Sequence, residues 1–102
     1  MYVRIVQDLK KVGTPADFWD YFDKICKIPR STGKEDQIRE FIKKEADKFG
    51  FQTEIDEIKN IAIYIPSTNK PLKKQTKIII QSHMDMVCIK DDSIDHDFSK
   101  DP

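Results

Sequence analysis

At Gly50 the apolar pattern of this chain changes period, and that change limits the folds open to it. Before Gly50, apolar side chains recur at spacings of three and four. Phe18, Tyr21, Phe22 and Ile25 form one stripe, and Ile38, Phe41, Ile42, Ala46 and Phe49 form another. After Gly50 the side chains alternate: Phe51 and Ile55 share a parity with Thr53, and Ile61, Ile63 and Ile65 alternate with Ala62 and Tyr64. Helical period followed by strand period gives an α/β class, two N-terminal helices packed on a small, incomplete β-sheet.

Local signals set the expected boundaries. Thr14 can accept from first-turn amides, Pro15 suits the first helical position, Asp17 favours the positive helix end, and Pro29 stops the helix. A second helix is expected from a capping box, with Thr32 reaching forward and Glu35 reaching back, to a left-handed stop at Gly50. Strands are expected near residues 51–58, 60–65 and 77–83. Between the last two, Pro66 to Lys74 reads as a polar loop, and Lys77 to Ile80 as the start of a strand covered on both faces. Beyond Cys88 the sequence is acidic and loop-like. It stops at Pro102 with no helix or strand to close the sheet, the pattern expected of a chain cut before its next strand.

The bulk composition removes several function classes. With 102 residues the chain is expected to form a single domain over 1–102, without a linker. Its 18 basic and 18 acidic side chains are interleaved and cancel, so it lacks the uncompensated basic face that displaces counterions from phosphates, and no nucleic-acid partner is expected. The first eleven residues lack the apolar run of a signal peptide, and no segment approaches the 18 apolar residues of a membrane span. A cytoplasmic location and no membrane partner follow as expectations. Cys26 and Cys88 belong to no C-x-x-C pair, so no zinc knuckle or redox motif is available, and reduced thiols are expected.

The chemistry is expected where the apolar run Ile78 to Ile80 ends. Gln81-Ser-His83-Met-Asp85-Met-Val-Cys88 places a histidine and an aspartate two apart. On an extended backbone such side chains point the same way, so imidazole and carboxylate can converge on one spot. A carboxylate beside a metal-ligating histidine fixes its tautomer and raises its basicity. Spacing alone equally admits a partly buried histidine satisfied by its neighbour.

The wider wording narrows that choice. Ile78-Ile-Ile-Gln-Ser-His83-Met-Asp85-Met-Val-Cys88, followed by His96-Asp-Phe-Ser-Lys-Asp-Pro102, resembles the aminoacyl-histidine (Xaa-His) dipeptidases of the carnosinase and desuccinylase clan of zinc peptidases. Phe18-Trp-Asp-Tyr-Phe22, Ile28-Pro-Arg-Ser31, Glu35, the Phe49-Gly-Phe51 turn and Asn60-Ile-Ala-Ile63 keep that family's order from about residue 14 onward. The resemblance implies a partial zinc-peptidase catalytic domain acting on small peptides with a metal-activated water. Two zinc ions are implied, with cobalt or manganese as alternative occupants, and the oligomeric state is left open. His83 matches a zinc ligand, and Asp85 matches the catalytic-site aspartate that orients the metal site. The bridging aspartate, the glutamate base and the further ligands of that family have no match here. The chain alone is therefore expected to be inactive.

The rival reading is a stand-alone small α/β interaction module in which the His-x-Asp is incidental, and the unprotected C-terminal end of the sheet is the feature that separates the two. His96 lies among Asp91, Asp92, Asp95 and Asp97, but the resemblance gives it no metal role. That cluster also lacks the glycine and terminal glutamate of a calcium loop. Arg30 reads as an exposed, salt-bridging side chain, and Cys88 as a small buried one without a partner base.

Overall fold

A computed structural model describes residue 13 and residues 15–68 and 76–102. The expected cap at Thr14, the reading of the first eleven residues and most of the loop up to Lys74 lie outside these. The chain divides into two compact units: residues up to Ile38 together with Asp85–Pro102, and Arg39–Met84.

In the first unit, helix α1 (Ala16–Cys26) follows Pro15, whose extended backbone (φ −80°, ψ 134°) makes it the flanking residue and not the first helical one. The Lys27 N–H donates to the Lys24 carbonyl at 3.3 Å and the Ile28 N–H to the Ile25 carbonyl at 3.2 Å, tightening the last turn. Pro29 disfavours helical backbone at Ile28, so the helix ends where the sequence indicates. The apolar stripe of α1 is not sealed, for none of its residues is fully buried. Three of its aromatic residues instead meet one another, with Trp19 T-shaped to Phe18 at 5.0 Å and to Phe22 at 6.0 Å between ring centroids.

Helix α2 (Asp36–Lys48) carries the two buried apolar side chains of the described residues, Ile38 and Ala46. Both belong to the expected stripe, whereas Phe49 at its end is exposed and stacks on Phe51 at 5.6 Å. The C-terminus closes as a Schellman motif: Phe51 N–H donates to the Ala46 carbonyl at 3.0 Å and Gly50 N–H to the Asp47 carbonyl at 3.0 Å. Gly50 takes the left-handed φ of 71° that the motif needs. A side chain there costs about 1–2 kcal/mol. Gly50→Ala is accordingly expected to lower the urea midpoint without changing the slope, and an unchanged midpoint contradicts the assignment.

Strands β1 (Gln52–Ile55) and β2 (Ile61–Tyr64) pair antiparallel, with Gln52 opposite Tyr64 and Ile55 opposite Ile61. The hairpin is shorter than the alternation suggests because Asp56 organises the turn. One carboxylate oxygen accepts from the Asn60 N–H and the other from the Asn60 side-chain amide, each at 2.8 Å. These bonds, the side-chain amide foremost, hold the Asp56 carboxyl below its usual pKa. Lys59 adopts a left-handed φ of 72°, and its carbonyl accepts from the largely buried Arg39 guanidinium at 2.7 Å. On the outer face Tyr64 donates across the strands to Glu54 at 2.6 Å.

Residues 77–83 correct the sequence reading: they form no strand. Ile78, Ile79 and Ile80 are 82%, 91% and 92% exposed. A strand exists only through hydrogen bonds to a neighbour, and the sheet of the described residues has two strands, β1 and β2. An apolar run can specify an inner strand, but without a partner backbone it cannot form one. The α/β class stands, with two helices and a two-stranded antiparallel sheet.

Candidate functional site

The His-x-Asp triplet spans the change from one unit to the other, His83 falling in the second and Asp85 in the first. His83 is exposed, on chain without regular secondary structure, and its carbonyl accepts from the Ser82 hydroxyl at 3.3 Å. Asp85 is half-buried, and its carboxylate accepts a 2.6 Å hydrogen bond from the Thr32 hydroxyl.

Thr32 is the residue that sequence reasoning misassigned. The expected capping box does not form, because α2 starts at Asp36 and the Thr32 side chain is engaged by Asp85. Glu35 does reach back, but it accepts from the Gly33 N–H at 2.6 Å. A capping signature is local, whereas Thr32 and Asp85 stand 53 residues apart, a pairing no spacing rule detects.

Backbone and side chains around this bond tie the Asp85 segment to Arg30, Ser31 and Thr32. The Met86 N–H donates to the Arg30 carbonyl at 2.8 Å, and Ser31 and Met86 form a parallel bridge. The Ser31 hydroxyl lies 3.2 Å from the Cys88 sulfur. Arg30, expected from sequence to be exposed and salt-bridging, is instead half-buried and places a guanidinium nitrogen 3.8 Å from the Met86 sulfur, a weak acceptor. Cys88 and Cys26 are both half-buried, and neither forms a disulfide.

His96 is half-buried with its ring edge-on to Phe98 at 4.6 Å. Two of the acidic residues around it, Asp91 and Asp97, serve turns. The Asp91 carboxylate accepts from the Ser93 N–H at 2.9 Å and hydroxyl at 2.6 Å, and Asp97 repeats the arrangement with Ser99 at the same distances. The Ser99 hydroxyl and N–H, aided by Lys100, lower the Asp97 carboxyl from 3.8 to about 2. A depressed folded-state pKa means that the bond's contribution is fully present above pH 3.8 and is lost as pH falls through about 2. A carboxyl-carbon NMR titration is expected to place the Asp97 midpoint near 2, and a midpoint at 3.8 contradicts the turn.

Among the described residues, no three histidine, cysteine or carboxylate side chains come together closely enough to hold a metal ion. A catalytic zinc takes three protein ligands and a water, so His83 and Asp85 by themselves do not fit one.

The sequence of this α/β segment is similar to that of a dipeptidase. The chain is 39% identical over 89 residues, 87% of its length, to the cytosol non-specific dipeptidase of Escherichia coli (strain K12). It spans 18% of the length of that relative. No model of a known protein family matches the chain, and no solved structure matches it. No helix of the described residues is long and apolar enough to cross a membrane.

Proposed function

We propose that this chain is a segment of a cytoplasmic, metal-dependent dipeptidase, to which it contributes His83 as a metal ligand and Asp85 as the carboxylate that orients the site. The observation that carries this reading is the match to a dipeptidase across 87% of the chain. Anchoring of Asp85 by Thr32 supports it, because a carboxylate that orients a ligand shell must itself be held. Zinc is the proposed metal: an imidazole nitrogen is among its preferred donors. The remaining ligands and the general base are assigned to the part of the relative that this chain does not span. Small peptides are the proposed substrates, with aminoacyl-histidine dipeptides the preferred ones.

The test is a segment exchange. The 89 matched residues of the E. coli relative are replaced by those of this chain, and hydrolysis of an Xaa-His dipeptide is followed. Activity is expected. A folded but inactive exchange contradicts the reading and favours an interaction module. The chain by itself, dialysed against micromolar zinc, is expected to retain less than one equivalent of metal and to hydrolyse no dipeptide. Stoichiometric zinc together with turnover would show that the described residues complete a site, with His96 the first ligand to examine.

A further inference from the structure

We propose that Thr32 is the positioning residue for Asp85, fixing its carboxylate in the orientation the dipeptidase site requires. The proposal rests on the functional reading above and adds to it a residue outside the His-x-Asp triplet. Its first support is the bond itself. At 2.6 Å, hydroxyl to carboxylate, it lies in the short, charge-assisted range, about twice as strong as a neutral bond.

The second support is the way Thr32 is held. It sits inside the Ser31–Lys34 turn, closed by the Lys34 N–H donating to the Ser31 carbonyl at 2.8 Å. Gly33 supplies the turn's left-handed φ of 80°. Being β-branched, the threonine has few χ1 states, so a fixed backbone fixes its hydroxyl.

The third support comes from the other side of the bond. Asp85 belongs to chain without regular secondary structure, so tertiary bonds such as that from Thr32 set where its carboxylate lies. The next residue, Met86, is tied by its N–H to Arg30, and the side chain of Cys88 lies against Ser31. The carboxylate is therefore anchored to this turn, and the backbone beside it to Arg30, the residue just before the turn. Fixing both removes the rotational freedom that an orienting group must lose before it can act, and here it is lost on folding.

The isolated chain gives the first test. Three-bond couplings from the Asp85 Cγ to its backbone nitrogen and carbonyl carbon report χ1. One rotamer is expected in the natural sequence and in Thr32→Ser, which keeps the hydroxyl, and averaging in Thr32→Val, which keeps the shape and removes the donor. Averaging in the natural sequence overturns the proposal, a result that does not depend on whether Thr32→Val folds. A single rotamer in a folded Thr32→Val overturns it as well.

The segment exchange gives the second test. There Thr32→Val is expected to lower kcat about 10-fold, with KM and melting temperature nearly unchanged, and Thr32→Ser to restore kcat to within about twofold. Full activity of Thr32→Val in an exchange that His83→Ala silences overturns the positioning role and leaves the dipeptidase reading standing. A folded exchange that is inactive with the natural sequence overturns both. That failure is distinguishable, because the Asp85 rotamer then remains fixed in the isolated chain.

Discussion

Ile38→Ala is expected to unfold the chain or bring it close to unfolding. Ile38 is 1% exposed, and with Ala46 it makes up the buried apolar core of the described residues. Truncating a buried isoleucine to alanine removes transfer free energy and leaves a cavity, together costing about 2–5 kcal/mol. Small domains are stable by only about 5–15 kcal/mol, and a core with a single large buried side chain places this one toward the lower end. The loss is therefore a large fraction of the total. Urea unfolding followed by helical circular dichroism is expected to show a midpoint about 1–2 M lower or no folded baseline at all. Ile38→Val, which removes one methyl group, is expected to cost about 0.5–1.5 kcal/mol and to retain the transition. An unchanged midpoint in Ile38→Ala would mean that α2 is not held by the face the structure buries.

The second large effect is on activity. In the segment exchange, His83→Ala is expected to reduce dipeptide hydrolysis by more than about 100-fold, beyond the 10–100-fold range typical of partners that only support a ligand. Removing the imidazole takes away a donor atom. Removing the charge of Asp85 leaves the donor in place but less well oriented, so Asp85→Asn is expected to fall within that range. The order of the two effects matters more than either value. If Asp85→Asn were the more damaging, the roles assigned to the two residues would have to be exchanged. Both variants lie outside the buried core, so neither is expected to shift the melting temperature by more than about 2 °C.

What could be read from sequence was what depends on neighbours in the chain. The stop at Gly50 is local, set by one residue free to adopt a positive φ, and it forms as expected. The hairpin was legible as alternation on either side of a polar turn. Its length was not, because Asp56 and Asn60 close the turn with bonds that end the strands at Ile55 and Ile61. Ile78 to Ile80 carry a strand's composition, but pairing requires a second backbone, and a sequence pattern cannot supply one. Thr32 presents the opposite case. Its local signature is that of a cap, and a tertiary bond to Asp85 takes its hydroxyl away. The triplet was found by its spacing, and its meaning came from the longer wording around it. The turn that holds Asp85 left no mark that spacing could reveal.

If His83 is a metal ligand of a dipeptidase site, its removal lowers the metal that the protein holds. The segment exchange is purified with His83 in place and with His83→Ala, both are dialysed to constant free zinc, and bound metal is counted by atomic spectrometry beside the thermal transition. One equivalent of metal fewer is expected in the alanine variant, with the transition retained. Equal metal content in two equally folded proteins would contradict it.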